Sequence, residues 1–164
     1  MKKLLTCILL SVWLSSSPLS PAFADEAVVH AILFYSPTCG HCEYVITEVL
    51  PPLAQQYGDQ LQIIGVNVTS ENGQALFLSA LQKFDLQSGG VPFLVVGDTY
   101  LFGSVEIPEK FPGMIEELLA RGGVGWPDMP GMEAVLEVAD VEKSDTAALS
   151  TPEASPVSRL VEEQ

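Results

Sequence analysis

Ala27-Val28-Val29-His30-Ala31-Ile32-Leu33-Phe34-Tyr35, then Ser36-Pro37-Thr38, then Cys39-Gly40-His41-Cys42, joins an apolar run to a Cys-x-x-Cys pair. The run is rich in β-branched and aromatic residues and has almost no polar interruption, the pattern of a strand buried on both faces. Ser-Pro-Thr breaks it. From Cys42 onward Val45, Ile46, Val49, Leu50, Leu53 and Tyr57 recur at helical spacing, so the cysteines sit where a strand hands over to a helix. A helix N-terminus favours negative charge, and the first cysteine of such a pair is placed to become a stabilised thiolate. Pro51 and Pro52 interrupt the helix and predict a kink or break there.

Outward from this junction the pattern continues. Residues 61–68 (LQIIGVNV) read as a second strand, and Ser70 as the cap of a helix with Leu76, Phe77, Ala80, Leu81 and Phe84 on one face. Gln87-Ser88-Gly89-Gly90 is a loop. Val91-Pro92 opens a strand through Val96, and Gly97-Asp98 is a two-residue hairpin turn before Tyr100, Leu101 and Phe102. A last helix follows, with Phe111, Met114, Ile115, Leu118 and Leu119 on one face. Pro108 and Pro112 are expected near its first turn, and Gly122-Gly123 at its end. The order β-α-β-α-β-β-α predicts an α/β domain, a central mixed sheet with helices on both faces and an antiparallel hairpin at one edge.

The ends read differently. Residues 1–24 have the form of a secretory signal: Lys2 and Lys3, an apolar stretch over residues 4–14, then Ala22-Phe23-Ala24 as a small-x-small cleavage site before Asp25. An uncleaved anchor is the alternative. Cys7 lies inside the stretch and is assigned no function, so Cys39 and Cys42 are the cysteines of the mature chain. Without the leader the chain has 140 residues, five basic against 21 acidic, a net of −16. Nucleic acid and anionic lipid would be repelled by that surface. We expect residues 25–123 as one domain, residues 124–132 as a Gly/Pro-rich extension packing back through Trp126, and residues 133–164 as an acidic, mostly disordered tail with one marginal helix at 134–141. Two cysteines three residues apart close too short a loop to staple a fold, so their role is chemical. Asn67-Val68-Thr69 has the form of a glycosylation sequon and equally suits the end of a strand.

Phe34-Tyr35-Ser36-Pro37-Thr38-Cys39-Gly40-His41-Cys42 resembles the active-site junction of the thioredoxin superfamily, and Gly90-Val91-Pro92-Phe93 resembles its proline loop. The likeness runs over residues 27–122. It implies a thioredoxin-like fold and thiol–disulfide exchange with protein thiols and disulfides, by a monomer that needs no cofactor. Cys39 would be the exposed nucleophile, with a pKa of about 3.5–7.5 against ~8.5 for a free thiol, and Cys42 would resolve the mixed disulfide. Gly40-His41 is the dipeptide of protein disulfide isomerases. Isomerase and thioredoxin potentials differ by roughly 90 mV, about 4 kcal/mol, so His41 is expected to tune the pair toward oxidation. An exposed histidine without that role is the alternative. Pro92 would be cis, with Val91 presenting its backbone to substrate; the residues alone leave a trans proline open. Such enzymes often carry a buried carboxylate six residues before the first cysteine. Here that residue is Leu33, and Glu43 and Glu48 are expected on solvated faces.

These features favour an exported oxidase or isomerase. Two alternatives stand beside it: a relay to one membrane partner, such as a quinone-linked oxidase of the vitamin K epoxide reductase type, and a copper or zinc site drawing on Cys39, His41, Cys42 and His30.

Overall fold

The computed structural model describes residues 27–137; the expected leader with Cys7 and the tail beyond 137 lie outside the described residues. Four strands form: β1 (Val29–Tyr35), β2 (Leu61–Asn67), β3 (Phe93–Val96) and β4 (Thr99–Phe102). The helices are α1 (Gly40–Tyr44), α2 (Leu50–Tyr57), α3 (Glu71–Lys83) and α4 (Gly103–Ala120). Strand order is β2-β1-β3-β4, with β1–β2 parallel and β1–β3 and β3–β4 antiparallel. That sheet order and the β-α-β-α-β-β-α succession, with its first helix divided, constitute a thioredoxin-like fold.

The unbroken apolar run of β1 follows from its central position. Ala31 and Leu33 point to one layer with Val45, Leu53, Ile107 and Phe111; Ile32 and Phe34 point to the other with Leu76, Ala80 and Phe93. Both faces are covered, so neither can be polar. β2 ends at Asn67, whose side-chain oxygen accepts from the Thr69 N–H and hydroxyl at 2.9 and 2.8 Å. Ser70 then caps α3, its Oγ accepting the Gly73 N–H at 3.1 Å.

The helix after the cysteines is not broken at the prolines. It widens first, into a π turn at Val45–Val49 in which the Leu50 N–H reaches the Val45 carbonyl. Pro51 and Pro52 then fall in the first turn of α2, the position in a helix that best tolerates a missing donor. The placing of Pro108 and Pro112 near a first turn needs correction: α4 starts at Gly103 and both prolines lie within it. Gly103, at φ +81°, turns the chain straight from β4 into the helix. Ile107, Phe111 and Ile115 are all fully buried, and each contributes about 1.5–3 kcal/mol of burial. Together that is about 4.5–9 kcal/mol, of the same size as two proline costs of ~3 kcal/mol apiece.

Glu106 secures that start, its carboxylate accepting the Phe102 N–H at 2.8 Å. Lys110 hydrogen-bonds the same carboxyl and, with the Phe102 N–H, holds it below its usual 4.5. A carboxyl depressed in the fold stabilises above its unfolded value and loses that contribution as pH falls through its folded one. Glu106→Gln should therefore be less stable at pH 7 by about 0.5 kcal/mol, small because the site is partly solvated. Thermal melts between pH 7 and 3 should show the gap closing below pH 4.5; a gap independent of pH would refute the assignment.

After α4, Gly122 and Gly123 adopt φ of +95° and +88° and bring Val124 alongside Val29 in a parallel bridge. The Val124 N–H donates to the Val28 carbonyl at 2.8 Å, and the His30 N–H to the Val124 carbonyl at 3.1 Å. Trp126 packs on the His30 ring at 4.5 Å between centroids. Met129 and Met132 are buried against the α3 layer. Residues 132–137 are helical, two positions ahead of the start expected for the marginal helix at 134–141. Residues beyond 137 lie outside the described part.

Candidate active site

Cys39 occupies the N-cap of α1, with extended backbone at φ −97° and ψ 108°. Its Sγ accepts the Cys42 N–H at 3.2 Å, and its carbonyl accepts the N–H groups of Cys42 and Glu43 at 3.0 Å each. Ser36-Pro37-Thr38 makes the turn that sets this up, the Cys39 N–H donating to the Ser36 carbonyl at 3.1 Å. The two sulfurs are joined as a disulfide, with Cα atoms 5.2 Å apart. The partners are unequal: Cys39 is partly exposed, whereas Cys42 is fully buried. An attacking sulfur can reach only Cys39. When the bond opens, charge on Cys39 meets a backbone N–H already aimed at it, at the head of a helical run from Gly40 to Tyr57.

The proline loop closes on the pair. The Val91–Pro92 peptide is cis, and Cys39 Sγ lies 3.6 Å from the Val91 carbonyl oxygen. Pro92 is fully buried. Its carbonyl accepts the Gly103 N–H at 2.9 Å, tying the loop to the start of α4. Phe102 and Val105 are exposed on either side of that start, and a Cβ on Gly90 would meet the Phe102 ring at 3.3 Å. His41 is exposed, and its Nδ1 lies 2.9 Å from Ser104 Oγ. Ser104 has no counterpart in the sequence reading. It is 63 positions from His41, and a serine after a glycine in a helix start carries no distinguishing pattern.

Leu33 is in the core, 1% exposed, facing the layer of Val45 and Leu53 and lining an apolar groove of about 580 Å³ with Tyr35, Ile46, Leu50 and Ile63. No polar or charged side chain is buried among the described residues, and Glu43 and Glu48 are exposed. None of the described acidic residues lies buried in that core to take a proton from Cys42. The four residues of the metal alternative do not converge. His30 donates from Nδ1 to the Val124 carbonyl at 2.9 Å, and no three His, Cys, Asp or Glu side chains among the described residues could together hold an ion.

No protein-family model and no curated protein matches the chain. Among solved structures it is similar to the germline-specific thioredoxin Deadhead of Drosophila melanogaster, 20% identical over 58% of this chain and 84% of that one, at a TM-score of 0.42. Mitochondrial thioredoxin 3 of Saccharomyces cerevisiae is 19% identical over 58% and 83% of the two chains, at 0.42. A buckwheat glutaredoxin in complex with glutathione is 23% identical over 57% and 78%, at 0.37. The fold assignment rests on strand order and on the position of the cysteine pair.

Proposed function

We propose that the chain is an exported thiol–disulfide oxidoreductase that exchanges disulfides with protein substrates through Cys39 and Cys42, in the oxidase or isomerase direction. The observation that carries this reading is the inequality of the pair, a reachable Cys39 held against a fully buried Cys42. In oxidation, a substrate thiolate attacks Cys39 Sγ, the Cys39–Cys42 bond breaks, and Cys42 leaves as a thiolate that takes a proton from water. The second substrate thiolate then attacks the first substrate sulfur of the mixed disulfide, forming the substrate disulfide and releasing Cys39 as a thiolate. The substrate loses two electrons and two protons, and the pair gains them. Isomerisation uses the same first step without net electron transfer.

Reduction of a substrate requires Cys42 to lose its proton before attacking, and the residue that would sit nearby to accept it is Leu33. Oxidation runs the same step backward, expelling Cys42 as a thiolate that water protonates, so Leu33 slows both directions and the preference between them is argued from His41. His41, beside Cys39, favours the thiolate and so the reduced pair, which makes the disulfide a better oxidant. The backbone of Val91, next to Cys39 Sγ, is suited to hold an extended substrate segment. Export rests on residues 1–24, and return of the reduced pair to its disulfide is assigned to a membrane redox partner of the quinone-linked kind.

Two assays test this. The oxidised chain should restore activity to reduced, unfolded ribonuclease, while reducing insulin slowly in the presence of a thiol. Rapid insulin reduction without ribonuclease refolding would overturn the direction. N-terminal sequencing of the chain recovered from an exporting bacterium should begin at Asp25; retention of Met1 would overturn cleavage.

A further inference from the structure

We propose that Ser104 is a positioning residue for His41, fixing which ring nitrogen is presented at the dithiol. This rests on the exchange function proposed for Cys39 and Cys42. The observation is a closed circuit of contacts around the pair. Cys39 Sγ lies 3.6 Å from the Val91 carbonyl, the adjacent Pro92 carbonyl accepts the Gly103 N–H at 2.9 Å, and the next residue places its Oγ 2.9 Å from His41 Nδ1. His41 is thus tied back to the cysteines through a second part of the chain. The far end of the circuit is itself held, because Glu106 accepts the Phe102 N–H one residue before Gly103.

A serine hydroxyl suits this position because it both donates and accepts. Two neutral forms satisfy the contact: Oγ–H donating to Nδ1 with the ring proton on Nε2, or Nδ1–H donating to Oγ with Nε2 bare; the assigned form is the first. With the charged ring, Nδ1–H donates to Oγ. In both assigned states Nδ1 is engaged and Nε2 carries a proton, so an N–H remains available to a sulfur anion even from uncharged imidazole. An exposed histidine without such a partner would spread over rotamers and both tautomers, and ordering it at the moment of reaction would cost free energy.

The test uses the purified full chain as wild type, Ser104→Ala, Ser104→Thr, His41→Ala and the His41→Ala/Ser104→Ala double variant. Equilibration with glutathione gives the redox constant of the pair, and ¹⁵N spectra of the histidine rings give the tautomer, with His30 as internal reference. Loss of one hydrogen bond should shift the redox constant about three- to tenfold toward the disulfide in Ser104→Ala. Ser104→Thr should restore it, and Ser104→Ala should add nothing once His41 is alanine. The His41 ring in wild type should show a protonated Nε2, giving way to a tautomer mixture in Ser104→Ala. An unchanged redox constant, an equal shift without His41, or an unaltered ring spectrum would each overturn the role. A wild-type pair that failed to equilibrate with glutathione would instead overturn the exchange function, and the ring spectra would then judge Ser104 alone.

Discussion

Cys39→Ser should abolish disulfide exchange entirely while leaving the fold intact. An alcohol is not a thiolate at neutral pH and cannot form the mixed disulfide, so no residual pathway runs through Cys42, which is fully buried. The substitution is structurally mild because serine is among the preferred N-cap residues, and its Oγ replaces the sulfur that accepts the Cys42 N–H. Circular dichroism and thermal melts of the reduced wild type and the variant should coincide within about 1 kcal/mol. Cys42→Ser should behave in the opposite way. Cys39 still attacks, nothing resolves the product, and mixed disulfides accumulate that are visible on non-reducing gels and vanish with a thiol. Exchange persisting in Cys39→Ser, or trapping through Cys42 rather than Cys39, would reverse the roles assigned to the two sulfurs.

A large stability effect is expected at Gly123, outside the hydrophobic layers. Its φ of +88° costs a residue with a Cβ about 1–2 kcal/mol. In addition, that Cβ would fall 2.3 Å from the Val28 carbonyl oxygen and 2.6 Å from its nitrogen. Backbone cannot rotate away as a side chain can, so the bridge between Val124 and Val29 must shift, at an overpacking cost of about 1–3 kcal/mol. Gly123→Ala should lose about 3 kcal/mol, roughly 10 °C in Tm for a domain of this size. Gly122 provides the control: φ is +95°, but nothing lies within 4 Å of its Cβ position. Gly122→Ala should cost only the backbone term, about 1 kcal/mol. Equal losses in the two variants would mean that the approach to Val28 is not what holds Gly123.

These glycines also mark the boundary of what the sequence discloses. Gly122-Gly123 is recognisable as a helix end from composition alone, and so is Gly97-Asp98 as a hairpin turn. That Gly123 must also pass against the backbone of Val28 is a long-range fact with no local pattern. The apolar run of β1 is legible because both its faces are covered, which leaves no polar residue from Ala31 to Phe34. The α4 prolines mislead for a related reason. Local propensity places them in a first turn, but Ile107, Phe111 and Ile115 are fully buried along the helix, and packing offsets the missing donors. Pro51 and Pro52 mark the right region, yet the irregularity appears as a π turn on their N-terminal side, because the preceding turn must widen to clear the rings. Of the site, Cys39 and Cys42 are visible as a motif and Val91-Pro92 as a loop. Ser104 is invisible, since only the fold brings α4 to His41.

The most direct test of a reversible dithiol is equilibration of the purified chain in graded glutathione buffers, with free thiols counted by alkylation. We expect a single two-electron transition involving Cys39 and Cys42, reversible from both sides, at about −180 mV or above rather than near thioredoxin's ≈ −270 mV. A pair that stayed oxidised in every buffer would contradict an exchange function and leave the Cys39–Cys42 bond as a structural bridge.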